Sequence, residues 1–246
     1  MKGIKLPRAN LKIGVFSYNF EHYKSTMGLI NMLTLGIKPD VIYAANKVKL
    51  NLKKSVARSS IRGLFALNPR DIADLHNIKF IIDSHNSIDT IQDIESRDLD
   101  LGIILGARIL SKEVINSFNI GIINMHAGIL PANRGLDNVQ WAIKDNLPQT
   151  VTLHFINEEI DRGKKIYEEE IHIQKDDTLL DIQMKLCRSE QELLRKFLLN
   201  INLVSKDWKE KLPSISKGNY HSVLEDSNSY EFEKSLGKYL KEWGKN

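Results

Sequence analysis

The first two thirds of the chain alternate short apolar runs with amphipathic segments. Four runs have the length and composition of buried strands, at residues 11–16, 40–45, 80–82 and 101–105. Residues 26–35 carry apolar side chains at helical spacing, and Gly36 then supplies a stop signal. Strands that alternate with helices are typical of a parallel sheet with helices on its faces. The pattern therefore predicts an α/β fold with an open, mostly parallel sheet flanked by helices.

The remainder of the chain has a different pattern. Two further strands and a long amphipathic helix are predicted there, at residues 150–155, 165–173 and 177–202. The last segment is richer in Ser, Asn, Lys and Gly, and only residues 232–243 have a helical pattern. We therefore expect a main domain at residues 1–204 and a C-terminal extension at residues 205–246.

Composition and charge narrow the range of partners. The chain has 246 residues, of which 42% are hydrophobic, and a net charge of +4 with a pI near 8.9. This mildly basic balance fits an acidic small substrate and does not require nucleic acid. The densest basic stretch lacks the interleaved aromatic residues of a surface for single-stranded RNA; it consists of Lys47, Lys49, Lys53, Lys54, Arg58 and Arg62. We interpret it as a solvated face, with phosphate contacts as the alternative, and expect no nucleic-acid partner.

The chain lacks the sequence signals of membrane insertion and export. No uninterrupted apolar run approaches the ~20 residues that a membrane helix needs. Residues 1–10 contain basic residues but no apolar segment of the kind found in signal peptides. The single cysteine, Cys187, cannot form an internal disulfide. We therefore expect a cytoplasmic protein without a membrane partner.

Three side chains with useful chemistry lie near the ends of apolar runs. Asn124 directly follows the run at residues 120–123, His126 comes two residues later, and Asp161 lies in the loop after the strand predicted at residues 150–155. In open α/β sheets, ligands bind outside the carboxyl ends of the strands. A carboxamide, an imidazole and a carboxylate are the groups that move an acyl group onto an amine. Taken singly, each is more often a turn or structural residue.

Two other kinds of site are not supported by the sequence. The first strand continues into residues 17–22 without a Gly-x-Gly-x-x-Gly turn, which argues against a dinucleotide site. His22, His85 and His221 have no partners at metal-ligand spacing, and there is no pair of cysteines, so we predict no metal. His154 lies within a predicted strand and is interpreted as structural.

Three segments carry motif-like sequences in a fixed order, namely residues 107–111 (ARILS), 124–131 (NMHAGILP) and 152–163 (TLHFINEEIDRG). They resemble the Met-Arg-Ile-Leu-Ser, Asn-x-His-Pro-Ser-Leu-Leu-Pro and Thr-(Val/Ile)-His-(Phe/Tyr)-Val-Asp-x-x-x-Asp-Thr-Gly motifs of formyltransferases that use N10-formyltetrahydrofolate. The resemblance covers about residues 12–202. It departs at Ala127–Gly128, where the family has Pro-Ser, and at Arg162, where it has Thr. Neither departure removes a group that is expected to do chemistry.

The resemblance implies a Rossmann-like fold and an N10-formyltetrahydrofolate-dependent N-formyltransferase. The pterin ring of the folate would bind the backbone that follows a buried strand, with Ile109 and Leu110 lining an apolar slot. The loop before Asp161 would close the other side of the ring. The residues implied to bind the folate are Ala107, Arg108, Ile109, Leu110, Asn157, Glu158 and Asp161.

The catalytic residues that the resemblance implies are Asn124, His126 and Asp161. The side-chain amide of Asn124 would donate to the oxyanion of a tetrahedral intermediate. His126 would either donate to the same oxygen when protonated or take a proton from the attacking amine when neutral. Asp161 would hold the imidazole or an ordered water. The sequence leaves the direction of proton transfer open.

The acceptor is inferred from what the chain lacks. Residues 17–21 are not the Gly-Ser-rich phosphate loop of glycinamide ribonucleotide transformylases. Only 44 residues, with little strand character, follow Asn202, whereas methionyl-tRNA formyltransferases carry a second β-domain. The first strand starts near Leu11, without the N-terminal domain of formyltetrahydrofolate deformylases. What remains is similar to the sugar N-formyltransferases.

This similarity implies a nucleotide-linked amino sugar, such as dTDP-4-amino-4,6-dideoxyglucose, that is formylated for a cell-surface polysaccharide such as the lipopolysaccharide O-antigen. Arg134, Trp141 and Tyr220 are the candidates for contacts to this substrate. A formyltransferase for another small-molecule amine and a folate-binding protein without turnover are the alternatives. The sequence leaves the oligomeric state open, with a homodimer as the assembly considered.

Overall fold

The computed structural model describes residues 11–49, 51, 53–57, 66–225 and 229–245, so Arg58 and Arg62 of the basic stretch lie outside the described residues. The strands are β1 (Ile13–Tyr18), β2 (Val41–Ala45), β3 (Lys79–Ile82), β4 (Leu101–Ile104), β5 (Gly121–His126), β6 (Arg134–Gly135), β7 (Thr150–Phe155), β8 (Gly163–Glu170), β9 (Ser214–Ile215) and β10 (Tyr220–His221). The helices are α1 (Tyr23–Thr34), α2 (Pro69–Leu75), α3 (Ile88–Arg97), α4 (Lys112–Asn116), α5 (Asn138–Lys144), α6 (Leu179–Leu199), α7 (Lys206–Glu210) and α8 (Ser229–Trp243).

The main sheet has the strand order β3-β2-β1-β4-β5-β7-β8-β9. Its first five strands are parallel, whereas β7, β8 and β9 join antiparallel at the β5 edge. The predicted α/β fold with an open, mostly parallel sheet is therefore confirmed. The four predicted runs correspond to β1, β2, β3 and β4. Strands β1, β2 and β4 are buried, and parallel strands that are covered on both faces read as continuous apolar segments, whereas β3 is a partly exposed edge strand.

Two apolar layers cover the sheet, because successive residues of a strand point to opposite faces. Val15 points into the larger core, where it joins Leu29 of α1 and Phe197 of α6. Its neighbour Phe16 points into the smaller core, together with Ile94 of α3. All five side chains are at most 1% exposed. Helices therefore pack on both faces, which leaves the strand ends as the open edge of the sheet.

Helix α6 begins at a capping box. The Thr178 hydroxyl accepts from the backbone N–H of Asp181, while the Asp181 carboxylate accepts from the N–H of Thr178 at 2.8 Å. The helix ends at Leu199, close to the predicted end, and a short 3-10 turn follows at Ile201–Leu203. Within the described residues, no helix combines the length and the apolar character needed to cross a membrane.

The predicted C-terminal extension is joined to the main domain by strand pairing and side-chain packing. Strand β9 pairs with β8, β10 pairs with β6, and α8 packs against α5. Tyr239 of α8 is 1% exposed, and its hydroxyl donates to the Leu147 carbonyl at 2.7 Å. These two-residue strands carry no periodic sequence signal, so only α8 was predicted. A domain boundary at residue 204 stays a prediction.

We expect Tyr239→Phe to lower the free energy of unfolding of the whole protein by about 1 kcal/mol, because the Leu147 carbonyl loses its partner. Tyr230→Phe, at a position that is 73% exposed on the same helix, is the control and should change little. Urea denaturation followed by circular dichroism measures both. A loss confined to a separate minor transition would mean that the extension unfolds independently.

Candidate functional site

A cavity of about 960 Å³ opens at the carboxyl ends of β1, β2, β3, β4 and β5. This is the edge at which open α/β sheets bind ligands. Most of the predicted site residues lie in its wall, namely Ala107, Arg108, Ile109, Leu110, Asn124, His126, Asn157, Glu158, Asp161 and Tyr220. The structure thus brings together three sequence motifs that are far apart in the chain.

Asn124 and His126 are two residues apart on β5 and therefore point to the same face of the sheet. Both contribute to the cavity wall, whereas Met125 between them is 2% exposed and lies in the larger core. This alternation anchors the end of β5 while both polar side chains face the cavity.

His126 is held between two acceptors. Its Nδ1 lies 3.3 Å from Oδ1 of Asp161, and its Nε2 lies 2.8 Å from the backbone carbonyl oxygen of Asn133. A carboxylate and a carbonyl both accept, so the ring satisfies both only when each nitrogen carries a proton. Both ring nitrogens of His126 therefore face acceptor oxygens.

Asp161 is buried beside this ring, and its side chain is 11% exposed. Burial alone would raise the pKa of the Asp161 carboxyl. The hydrogen bond and the charge of His126, together with the N–H of Gly135 at 2.9 Å from Oδ2, outweigh burial and lower this pKa. Asp161 is therefore a stable carboxylate.

His154 is the second histidine near the pair, with its ring centroid 6.5 Å from that of His126. Burial and, next, the charge of His126 lower the pKa of His154 to about 4. His154 is therefore neutral near pH 7, which agrees with the structural role that the sequence suggested for it.

The two departures from the family motifs have clear local roles. A Cβ atom at Gly128 would lie 2.6 Å from the Asn133 oxygen and 2.7 Å from Nε2 of His126, so glycine allows these atoms to meet.

The guanidinium of Arg162 forms an ion pair with Glu159 inside the loop that follows β7. Gly163 has φ of +119°, and a Cβ there would lie 2.1 Å from the Phe155 oxygen. Residues 159–163 thus form a tight turn that ends in glycine.

An apolar slot lies between the segment after β4 and the loop after β7. Ile109 is 68% exposed at its mouth, whereas Leu110 is 6% exposed at its base. An ion pair of 3.0 Å between Lys112 and Glu158 joins the two walls. A flat aromatic ring is the kind of ligand that fits between such walls.

Asn86 was not predicted, yet it fixes the first wall of this slot. Its amide nitrogen donates to the Ile109 carbonyl at 3.0 Å, and its amide oxygen accepts from the Ser111 N–H at 2.8 Å. Backbone N–H and C=O groups of successive residues alternate in direction along an extended chain. The N–H and the C=O of Leu110 therefore face away from Asn86. Asn86 therefore leaves that backbone available to a ligand.

His85 also lies in the cavity wall and was given no functional role from the sequence. Its Nε2 donates to the carbonyls of Ser17 and Tyr43 at 3.0 and 3.1 Å. Burial lowers the pKa of His85, so the ring is neutral and its Nδ1 is an acceptor. His85 and Asn86 lie shortly after the apolar run at residues 80–82, separated from it by Asp83 and Ser84, and their place near a predicted strand end is the signal that could have identified them.

The three predicted substrate contacts have different positions. Tyr220 lines the cavity and is 53% exposed. Arg134 is 8% exposed, and its guanidinium donates to the carbonyls of Ile160 and Gly218. Trp141 stacks on the His221 ring with centroids 4.3 Å apart. Arg134 and Trp141 themselves are not among the residues that line the cavity, and their contacts to a substrate stay predictions.

Among the described residues, no group of three or more His, Cys, Asp or Glu side chains is arranged to hold a metal ion. The carboxylate of Asp161 is already engaged by His126 and by the N–H of Gly135. The polar groups in the cavity wall are thus arranged for hydrogen bonding.

Residues 82–198 match the family model described as Formyl transferase, and all three motifs lie inside this range. A methionyl-tRNA formyltransferase of Fusobacterium nucleatum is 32% identical over 108 residues, which is 43% of this chain and 35% of that protein. The match thus spans about a third of the length of this relative.

Solved structures share the fold. A sugar N-formyltransferase from Shewanella sp is 20% identical with a TM-score of 0.59, over 86% of this chain and 76% of that one. The formyltransferase PseJ from Anoxybacillus kamchatkensis, in complex with UDP-4,6-dideoxy-4-formamido-L-AltNAc and tetrahydrofolate, is 22% identical with a TM-score of 0.51, over 69% and 93%. Phosphoribosylglycinamide formyltransferases have TM-scores of 0.60 and 0.61.

These structural likenesses concern the fold, whereas the sequence match to the family model concerns residues 82–198. The family resemblance predicted from the three motifs is confirmed: this chain carries a formyl transferase domain over residues 82–198.

Proposed function

We propose that this protein transfers a formyl group from N10-formyltetrahydrofolate to the amine of a nucleotide-linked amino sugar. The observation that carries the proposal is the cluster of Asn124, His126 and Asp161 in one cavity wall, with His126 and Asp161 3.3 Å apart. A carboxamide donor, an imidazole and a buried carboxylate provide the groups that acyl transfer to an amine requires.

The apolar slot supports the folate part of the proposal. Ile109 and Leu110 on one side and residues 156–161 on the other would hold the pterin ring. The peptide groups of Leu110 would pair with the ring's polar edge, because Asn86 engages the neighbouring Ile109 carbonyl and Ser111 N–H. Bound there, the folate would supply a formyl carbonyl whose oxygen gains negative charge when the amine nitrogen bonds to its carbon. Collapse of this intermediate would break the bond from the formyl carbon to N10, and N10 would take up a proton while the amine loses one.

The side chains at the end of β5 would stabilise that charge. The Asn124 amide would donate to the developing oxyanion. Of the two directions left open for His126, the structure favours the donor, because both ring nitrogens face acceptors. To reach the oxyanion through Nε2, His126 would exchange its bond to the Asn133 carbonyl for one to the substrate. Asp161 would keep the ring charged throughout.

Three features support a nucleotide-linked amino sugar as the acceptor. A cavity of about 960 Å³ lies at the upper end of the range for ligand pockets, so it has room beyond the pterin slot. Tyr18 and Tyr220 offer aromatic faces in its wall, and Arg108 adds a positive charge. The neighbour PseJ was solved with a UDP-linked formamido sugar and tetrahydrofolate. A dTDP-linked 4-amino sugar, as used for a lipopolysaccharide O-antigen, is the substrate we propose to test first.

We expect Asn124→Ala, His126→Ala and Asp161→Ala each to lower turnover ~10²–10⁴-fold, the usual cost of losing an oxyanion donor or an acid/base group. Binding of tetrahydrofolate should weaken far less. Steady-state kinetics gives the first quantity and calorimetry the second. His172→Ala, at an exposed histidine, is the control. Near-normal turnover in His126→Ala would show that the roles are assigned wrongly.

The slot predicts that Ile109→Asp weakens tetrahydrofolate binding, because a carboxylate at the mouth would meet an apolar ring. Ile109 is largely exposed, so the fold should tolerate this change. Ile88→Asp is the matched control, since Ile88 is 72% exposed at the start of α3 and does not contribute to the cavity wall. Equal affinities of the two variants in calorimetry would move the folate away from this slot.

A panel of amines incubated with N10-formyltetrahydrofolate tests the acceptor by mass spectrometry, which detects the gain of one formyl group. We expect a dTDP-linked 4-amino sugar to be formylated and the free amino sugar to react poorly, because binding of the nucleotide helps to position the amine. Formylation of another small amine alone would favour the first alternative. Folate binding without any product would favour the non-catalytic alternative.

A further inference from the structure

The carboxyl end of β5 extends beyond its parallel neighbour. The pairing of β4 with β5 ends at Ile104 opposite Asn124, whereas β7 continues along β5 as far as His126. The Ile122 carbonyl accepts from Ile156 on the β7 side. Because backbone groups alternate in direction along a strand, the carbonyl of Met125 points to the β4 side. It does so beyond the last paired residue of β4.

Lys24 occupies this position. Its ammonium group lies 2.7 Å from the Met125 carbonyl oxygen and 2.8 Å from Oε1 of Glu190. The side chains of Lys24 and Glu190 are 21% and 11% exposed, so the contact is largely shielded from water. Lys24 belongs to the first turn of α1 and Glu190 to the middle of α6. One ammonium thus joins two helices to the end of β5.

We propose that Lys24 is a positioning residue for the formyl transfer, acting through the Met125 peptide; the proposal rests on the proposed function. Met125 lies between Asn124 and His126, so any tilt of its peptide group moves both side chains relative to the cavity. Lys24 supplies the donor that β4 does not reach, and Glu190 fixes the direction from which the ammonium approaches.

A purely structural role would have a different signature. A partly buried ion pair adds little net stability, but removal of one partner leaves the other uncompensated. Loss of Lys24 therefore destabilises the protein in either case. Only a positioning role also lowers the turnover of the molecules that remain folded, because small displacements at reacting groups strongly reduce rates.

The test compares Lys24→Met, which keeps the length of the side chain, with Lys24→Arg, which keeps the charge and the donors. Turnover is measured well below the melting temperature, on folded protein. We expect Lys24→Met to lower kcat ~10–100-fold, with the KM for the folate changed less than about threefold. Lys24→Arg should recover most of the loss. Wild-type kcat in Lys24→Met would overturn the proposal.

Lys185→Met is the matched control. Lys185 pairs with the largely buried Asp177, which lies just before α6, and its ammonium also donates to the Gln174 side chain. The Lys185→Met variant should have a lower melting temperature and an unchanged kcat. A similar fall in kcat in both variants would assign the effect to general destabilisation. If Lys24→Met does not fold, Glu190→Gln takes its place, and we expect it to lower kcat by a smaller factor. An unchanged kcat in Glu190→Gln would then overturn the proposal.

The ring N–H signals of His126 separate this proposal from the proposed function. In nitrogen-15 NMR of the wild type and the variants, these signals should shift in Lys24→Met and stay in place in Lys185→Met. This outcome holds even if the wild type formylates none of the amines tested, in which case the proposed function fails alone. Unchanged His126 signals in Lys24→Met would overturn the positioning role itself.

Discussion

The backbone hydrogen-bonding groups at the carboxyl end of β5 need partners on both sides, although the parallel strand β4 ends before β5 does. On one side β7 continues antiparallel to His126, and on the other β4 ends opposite Asn124. The side chain of Lys24 completes the pairing on the open side. Because this end is anchored, Asn124 and His126 project into the cavity, and the turn after β7 can bring Asp161 to the imidazole. The candidate site therefore depends on the place where the sheet changes from parallel to antiparallel.

Much of this arrangement could be predicted from the sequence, because the relevant signals are local. Strands that are buried on both faces appear as continuous apolar runs, and α6 shows both its periodicity and its cap at Thr178. Asn124 and His126 could be located because they end such a run. Asp161 could be placed in the same site only through its motif, since no local pattern shows that it returns to His126.

The remaining features depend on contacts between distant segments. Arg134 was predicted to contact the substrate, which stays a prediction, and its guanidinium donates to the carbonyls of Ile160 and Gly218, contacts that no local pattern shows. Trp141 is likewise engaged by His221, from a two-residue strand that no periodicity could reveal. Lys24 lies just before the helical pattern at residues 26–35 and carries no sequence signal of its own, so only the structure shows its contact with Met125.

The hydrogen bond from His126 to the Asn133 carbonyl, packed under Gly128, has a consequence for control of the site. The ring cannot serve a ligand through Nε2 while that bond is made, so release of the Asn133 carbonyl and engagement of the ligand form one coupled equilibrium. A contact that stabilises residues 129–133 would keep the His126 ring bonded to the Asn133 carbonyl and away from the ligand. By reciprocity, a ligand bound to His126 would destabilise that turn. In the proposed reaction, the backbone oxygen of Asn133 would therefore compete with the substrate for Nε2 of His126.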